Sequence, residues 1–149
     1  MPHFTLQLIN EGPLVTAIAA ASQARVAALT AAGQPVPNAV PMRALIDTGA
    51  SCTCIDPSVL TSLQLAPTGT VTLNTPSTGS QPHVAYQYDI SLVIPGPSAG
   101  HAPLVFQNLA VCCTELLVAQ GFHALIGRDV LQHCVMTYNG SAGFFTLAY

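Results

Sequence analysis

The sequence predicts an all-β domain, a closed or nearly closed β barrel with one or two short helices. Three observations carry that expectation. Apolar residues alternate over many short stretches, which is the period of a half-buried strand. Turn formers such as Glu11-Gly12-Pro13, the run from Thr75 to Pro82, and Asn139-Gly140 separate those stretches. Only two or three segments carry helix signals, and all of them are short.

The elements follow in chain order. Phe4 to Ile9 alternates and reads as a strand, and Leu14 to Ile18 resumes after the Gly12-Pro13 turn. Ala19 to Ala32 turns to alanine, with Val26 and Leu29 at helical spacing, and reads as a short helix or an irregular excursion. Gly33 to Pro41 holds three prolines and reads as loop. Met42 to Ile46 is a strand, and Cys52 to Ile55 is another. Asp56-Pro57 starts a helix that runs to about Leu63, because Asp caps well and Pro suits the first helical position. Thr70 to Asn74 and Val84 to Ile94 pair as strands around the polar tip from Thr75 to Pro82. Leu104 to Val111 and Glu115 to Val118 are expected strands, with a loop from Pro95 to Pro103 before them. Arg128 to His133 reads as a short helix, and Val135 to Tyr138 and Phe144 to Leu147 form a hairpin across Asn139-Gly140.

Length and composition bound the rest. The 149 residues make one domain with a real core. Half of the residues are apolar and only 6% are charged, so the chain lacks polar groups to cover its own surface, and a buried subunit interface is expected. A formal charge of −3 leaves no basic footprint for nucleic acid. No membrane span is expected: the Ala-rich stretch from Leu14 to Ala32 comes closest, but Ser22, Gln23 and Arg25 interrupt it. It is also a poor signal peptide, because no basic residue precedes Arg25, so the cytoplasm is the expected location.

The five cysteines, Cys52, Cys54, Cys112, Cys113 and Cys134, are odd in number, which argues against a disulfide framework. They read as small buried hydrophobes. A metal site built from Cys52, Cys54, His133 and Cys134 is the weaker reading, because no pair has a zinc-type Cys-x2-Cys spacing. His3, His83, His101, His123 and His133 show no ligand spacing either. Ser51 lies in no Gly-x-Ser-x-Gly elbow, which leaves a serine hydrolase without support.

The chemistry concentrates in one run, Ala44-Leu45-Ile46-Asp47-Thr48-Gly49-Ala50-Ser51. An apolar strand that ends in a glycine turn pushes the Asp47 carboxylate out of a core onto the floor of a cleft. A second run, Ala124-Leu125-Ile126-Gly127-Arg128-Asp129, follows roughly 80 residues later and again ends an apolar strand in glycine. Pro13-Leu14-Val15-Thr16 adds a third match. Together these runs resemble the retropepsins, the aspartic proteases of the retroviral type. The resemblance spans most of the chain and leaves out residues 19–41, which read as an insertion.

The resemblance implies a homodimer, because this chain has a single Asp-Thr-Gly and two-fold symmetry must bring the second Asp47. Two close carboxylates share a proton; the ionised one takes a proton from water while the other donates to the substrate carbonyl. Neither a metal nor any other cofactor enters that chemistry. In the family Thr48 hydrogen-bonds across the axis and Gly49 lets backbone N–H groups reach the carboxylate. By matched position Leu45, Ala50, Cys54, Phe122, His123 and Leu125 line the substrate pockets. Thr75, Pro76, Ser77, Thr78 and Gly79 form a flap that holds an extended polypeptide by its main chain. The terminal strands, Phe4 to Leu8 and Phe144 to Tyr149, are expected to interleave with the partner's and to bury Phe4, Leu6 and Leu8 there.

The chain departs from the family pattern in two ways. Ser51 stands where many viral relatives carry an acid, and Gly12 where they carry a basic residue, so an intersubunit ion pair is missing. Ala50 replaces the serine that donates to the carboxylate in pepsin-like enzymes, which implies an optimum in mild acid. The alternative functions are a non-catalytic dimerisation or peptide-docking module, and a small barrel that binds an apolar ligand.

Overall fold

A computed structural model of the chain describes residues 1–73, 82–98, 100–116 and 118–149. Ten strands and three short helices lie among them: β1 (His3–Gln7), β2 (Leu14–Ala21), α1 (Gln23–Ala31), β3 (Val40–Ile46), β4 (Cys54–Ile55), α2 (Pro57–Ser62), β5 (Gly69–Leu73), β6 (His83–Ile94), β7 (Leu104–Cys113), β8 (Ala124–Ile126), α3 (Arg128–Leu131), β9 (Val135–Asn139) and β10 (Phe144–Ala148).

The larger sheet runs β2-β3-β8-β4-β7-β6-β5, and a further pairing of β2 with β6 closes six of those strands into a barrel. The closure removes exposed strand edges. Its interior is filled by alternate residues: Ala17 and Ala19, Ala44 and Ile46, Ile90, Leu92 and Ile94, Ala124 and Ile126, each at most 5% exposed. Small residues on β2, β3 and β8 face large ones on β6, which fits side chains into a narrow barrel. β5 continues the sheet outside the barrel by pairing with the first half of β6, from Gly69 opposite Gln87 to Leu73 opposite His83.

A second sheet, ordered β1-β10-β9, packs the two chain ends together. Phe4, Phe145 and Leu147 are buried in the same core as the barrel residues. Within the single chain Phe4 is only 3% exposed, and β10 is the middle strand of its sheet. The outer strands β1 and β9 each keep one open edge, and β9 carries Val135 and Tyr138, 58% and 59% exposed.

The helices form where the local chemistry favours them. Asp56 caps α2 through its Oδ1, which accepts from the Ser58 N–H at 2.9 Å, and Pro57 follows at the first turn. Ser22 caps α1 by accepting from the Arg25 N–H at 3.2 Å, and Gly33, with φ +64°, ends it. The alanine-rich segment is therefore strand up to Ala21 and helix from Gln23. Two expectations need correction. The expected strand from Glu115 to Val118 is absent among its described residues; a single 3-10 turn spans Val118–Gln120. The last hairpin closes over a longer turn, with Asn139 opposite Phe144 and Gly143 at φ +72°. No helix among the described residues is long and apolar enough to cross a membrane.

Candidate active site

Asp47 leaves the end of β3, where that strand runs parallel to β8 with Ile46 opposite Ile126. Its N–H donates to the Ile126 carbonyl at 3.0 Å, so the barrel ladder continues to the residue that carries the carboxylate. The chain then turns sharply. Gly49 N–H donates to Asp47 Oδ1 at 2.8 Å, and Ala50 N–H donates to the Asp47 carbonyl at 3.2 Å. The first of these bonds aims the side chain by fixing one of its oxygens. Arg128 secures the loop from below: its guanidinium donates to the carbonyls of Thr48 at 3.0 Å and Gly49 at 3.2 Å, and its N–H donates to the Ala50 carbonyl at 2.9 Å.

The loop must cross β8 to reach β4, because β4 lies on the far side of β8 from β3. The crossing passes over Gly127. A Cβ there would sit 2.5 Å from the backbone carbon and oxygen of Cys52, so the requirement for glycine is one of space. Thr53, fully buried beside the crossing, donates from its N–H and its hydroxyl to the Asp129 carboxylate, each at 2.8 Å, and accepts the Gly127 N–H at 3.1 Å. The two motif runs are thus tied by side chains as well as by the sheet.

A cleft of about 480 Å³ opens on one side of Asp47. Its walls are Asp47, Gly49, Ala50, Ser51, Cys52, Cys54, Thr72, Leu73, Thr114 and Leu125. Of the positions expected there, Ala50, Cys54 and Leu125 line it together with Asp47 and Gly49. Leu45, Phe122 and His123 do not line it. Leu45 lies beside Gly12 instead, where a Cβ would meet its Cδ1 at 3.3 Å and where φ of +114° calls for glycine. Phe122 is buried at 9% exposure, and His123 keeps a buried Nδ1 with no hydrogen-bond partner among the described residues. Thr75, Pro76, Ser77, Thr78 and Gly79 lie outside the described residues. Sequence reasoning missed Ser51, Cys52, Thr72, Leu73 and Thr114. The first two follow the motif directly, and Thr72 and Leu73 end the strand that leads toward the expected flap.

A second hollow of about 390 Å³ flanks Asp47 on the other side, lined by Pro13, Ile46, Thr48, Met136 and Tyr138. Met136 and Tyr138 belong to β9, so the open strand edge borders the same carboxylate. Among the described residues no second carboxylate lines either hollow.

Behind the cleft, Asp56 is 6% exposed. Burial pushes its carboxyl up, but hydrogen bonds from the Ser58 hydroxyl at 2.6 Å and the N–H groups of Leu116 and Ser58 outweigh that and hold it below the ordinary range. The cysteines sort differently from the metal reading. Cys52, Cys54 and Cys112 bring their sulfurs within 4.8 Å of one another, whereas His133 lies beside Phe106, with ring centres 5.5 Å apart and planes tilted by 56°.

Comparison with known proteins agrees with this geometry. A family model described as "Aspartyl protease" matches residues 28–130, which include Asp47 and the second motif run. The crystal structure of a retropepsin-like aspartic protease from Rickettsia conorii superposes with a TM-score of 0.59 and 15% sequence identity, over 99% of this chain and 90% of that one. No curated protein sequence matches the chain.

Proposed function

Because the chain belongs to the aspartyl protease family and has the retropepsin-like fold, we propose that it is an aspartic endopeptidase that works as a two-fold homodimer, with one Asp47 from each copy. The observation that carries this reading is the solitary carboxylate: Asp47 is aimed by the Gly49 N–H at the rim of a peptide-sized cleft, and among the described residues no other acid lines that cleft or the hollow beside it. Residues 1–149 act as a single domain in this reading.

In the dimer the two Asp47 carboxylates share one proton. The ionised one takes a proton from a water held between them while that water attacks the peptide carbonyl carbon, and the protonated one donates to the carbonyl oxygen. The tetrahedral diol then collapses with proton transfer to the leaving amine. Thr48, on the same loop, faces the axis and couples the two loops, and Arg128 keeps its carbonyl in place. An extended peptide lies across the cleft against Ala50, Cys54 and Leu125, which favours apolar side chains next to the cleaved bond.

The open edge of β9 supports a specific way of pairing. Two copies of β9 aligned antiparallel across the axis would join the terminal sheets into one and bury Val135, Met136 and Tyr138 beside both Asp47 residues.

The test is cleavage of a diverse peptide pool from about pH 3 to 7 by the wild type and by Asp47→Asn, with sedimentation of both. A dimeric wild type that cuts, and a dimeric variant at least about a thousandfold slower, is the expected result. Equal cleavage by the two proteins would remove Asp47 from the mechanism. A stable dimer that cuts nothing would make the protein a peptide-docking module.

A further inference from the structure

The thiol cluster on the cleft wall is not used by the proposed chemistry. Cys54 on β4 lies opposite Cys112 on β7 in a parallel pair, and the Cys112 N–H donates to the Thr53 carbonyl at 2.9 Å. This register carries Cys52, just before β4, over the same spot. Its Sγ lies 2.8 Å from Cys112 Sγ, inside the contact distance of two unbonded sulfurs. The two residues are 60 positions apart in sequence, so the barrel, and not chain proximity, brings them together.

We propose that Cys52 and Cys112 are a modification site: they form a reversible intramolecular disulfide on the cleft wall by exchange with a small disulfide such as oxidised glutathione. Cys52 is half-buried and lines the open cleft, whereas Cys112 is 3% exposed, so Cys52 reacts first. Its thiolate attacks one sulfur of the glutathione disulfide. That S–S bond breaks, and one glutathione leaves as a thiolate that takes up the proton. Cys112 sulfur, deprotonated to solvent, then attacks Cys52 sulfur, and the second glutathione leaves. Two protein thiols are oxidised and one small disulfide is reduced to two thiols.

The surroundings favour a neutral product over free thiolates. Burial, with Cys112 alongside, pushes the Cys52 thiol up to about 12. The Cys54 contact and burial raise Cys112 as well, and the Asp129 carboxylate acts on both in the same direction. A disulfide is neutral. Thiols that resist ionisation also leave poorly, so the bridge forms slowly and resists reduction once made.

The inference does not depend on peptidase activity, and its readout is chemical. The whole protein is equilibrated with oxidised and reduced glutathione near pH 8 and quenched in acid. It is then digested with pepsin, because Arg43 and Arg128 flank the whole cluster and trypsin leaves it on one peptide. The expected product is one Cys52–Cys112 bridge, lighter than the dithiol by about 2 Da, in the wild type and in Cys54→Ala but not in Cys52→Ala or Cys112→Ala. Closing so long a loop should also raise Tm by roughly 5 °C or more. A wild type that stops at glutathionylated Cys52, or that bridges a different pair, overturns the proposal. So does protection of all three thiols by equimolar zinc, which would make the cluster a metal site. If Cys112→Ala does not fold, the wild-type map and the half-exposed Cys52→Ala still decide.

Discussion

Thr53 and Asp129 form a two-point clamp: the N–H and the hydroxyl of the wholly buried Thr53 each reach one oxygen of the Asp129 carboxylate at 2.8 Å. The clamp joins the chain after the Asp47 turn to the first turn of α3, where Asp129 Oδ1 also accepts the Val130 N–H at 2.9 Å. Asp129→Ala leaves two buried donors without an acceptor. The expected loss is about 2–4 kcal/mol in urea unfolding. A loss under about 0.5 kcal/mol would mean that water replaces the carboxylate and that the clamp is not structural.

The β9 edge makes a separate prediction about assembly. Val135 is 58% exposed in the single chain, so Val135→Lys costs the monomer little. At a two-fold contact, however, the lysine puts a charge on the pairing edge, which then no longer accepts a strand. Sedimentation should show the dimer weakened by tenfold or more, with Tm at low concentration unchanged. A dimer of unaltered affinity would place the contact on another face.

The capping carboxylate predicts how stability changes with pH. The folded protein holds Asp56 below its ordinary value, so its contribution is fully present above about pH 4 and is lost as pH falls through the lower folded value. Asp56→Ala should cost about 1–2 kcal/mol at pH 7. Thermal unfolding repeated at successively lower pH should show the gap to the wild type narrowing below about pH 4. A gap that stays constant down to pH 2 would mean that the cap acts only through its shape.

Local pattern made much of this fold legible. The apolar run into Asp47, the Asp56-Pro57 helix start and the alternation through β6 each depend on neighbours in sequence, and each is found where the pattern puts it. What could not be read depends on which distant strands meet. That Phe4 shares a core with Phe145 and Leu147 depends on β1 meeting β10, at the far end of the chain. The cysteines look like scattered small hydrophobes until the parallel pairing of β4 with β7 stacks three of them. Leu45 carries the same motif signal as Leu125, but only Leu125 reaches the cleft, since Leu45 lies against the bend at Gly12.

β8 lies between β3 and β4, although it is made long after both. Until Ala124–Ile126 leaves the ribosome, β3 and β4 stand on either side of a vacant slot, each with a raw edge. The turn that carries Asp47 then has no Ile126 carbonyl to hold it and no Arg128 beneath it. Such contacts between distant segments form slowly. The Asp47 turn therefore stays unorganised until residues 124–128 have been made. The same ordering makes prematurely terminated chains sticky: a product that ends before residue 124 exposes two facing strand edges, and precipitation is its expected fate.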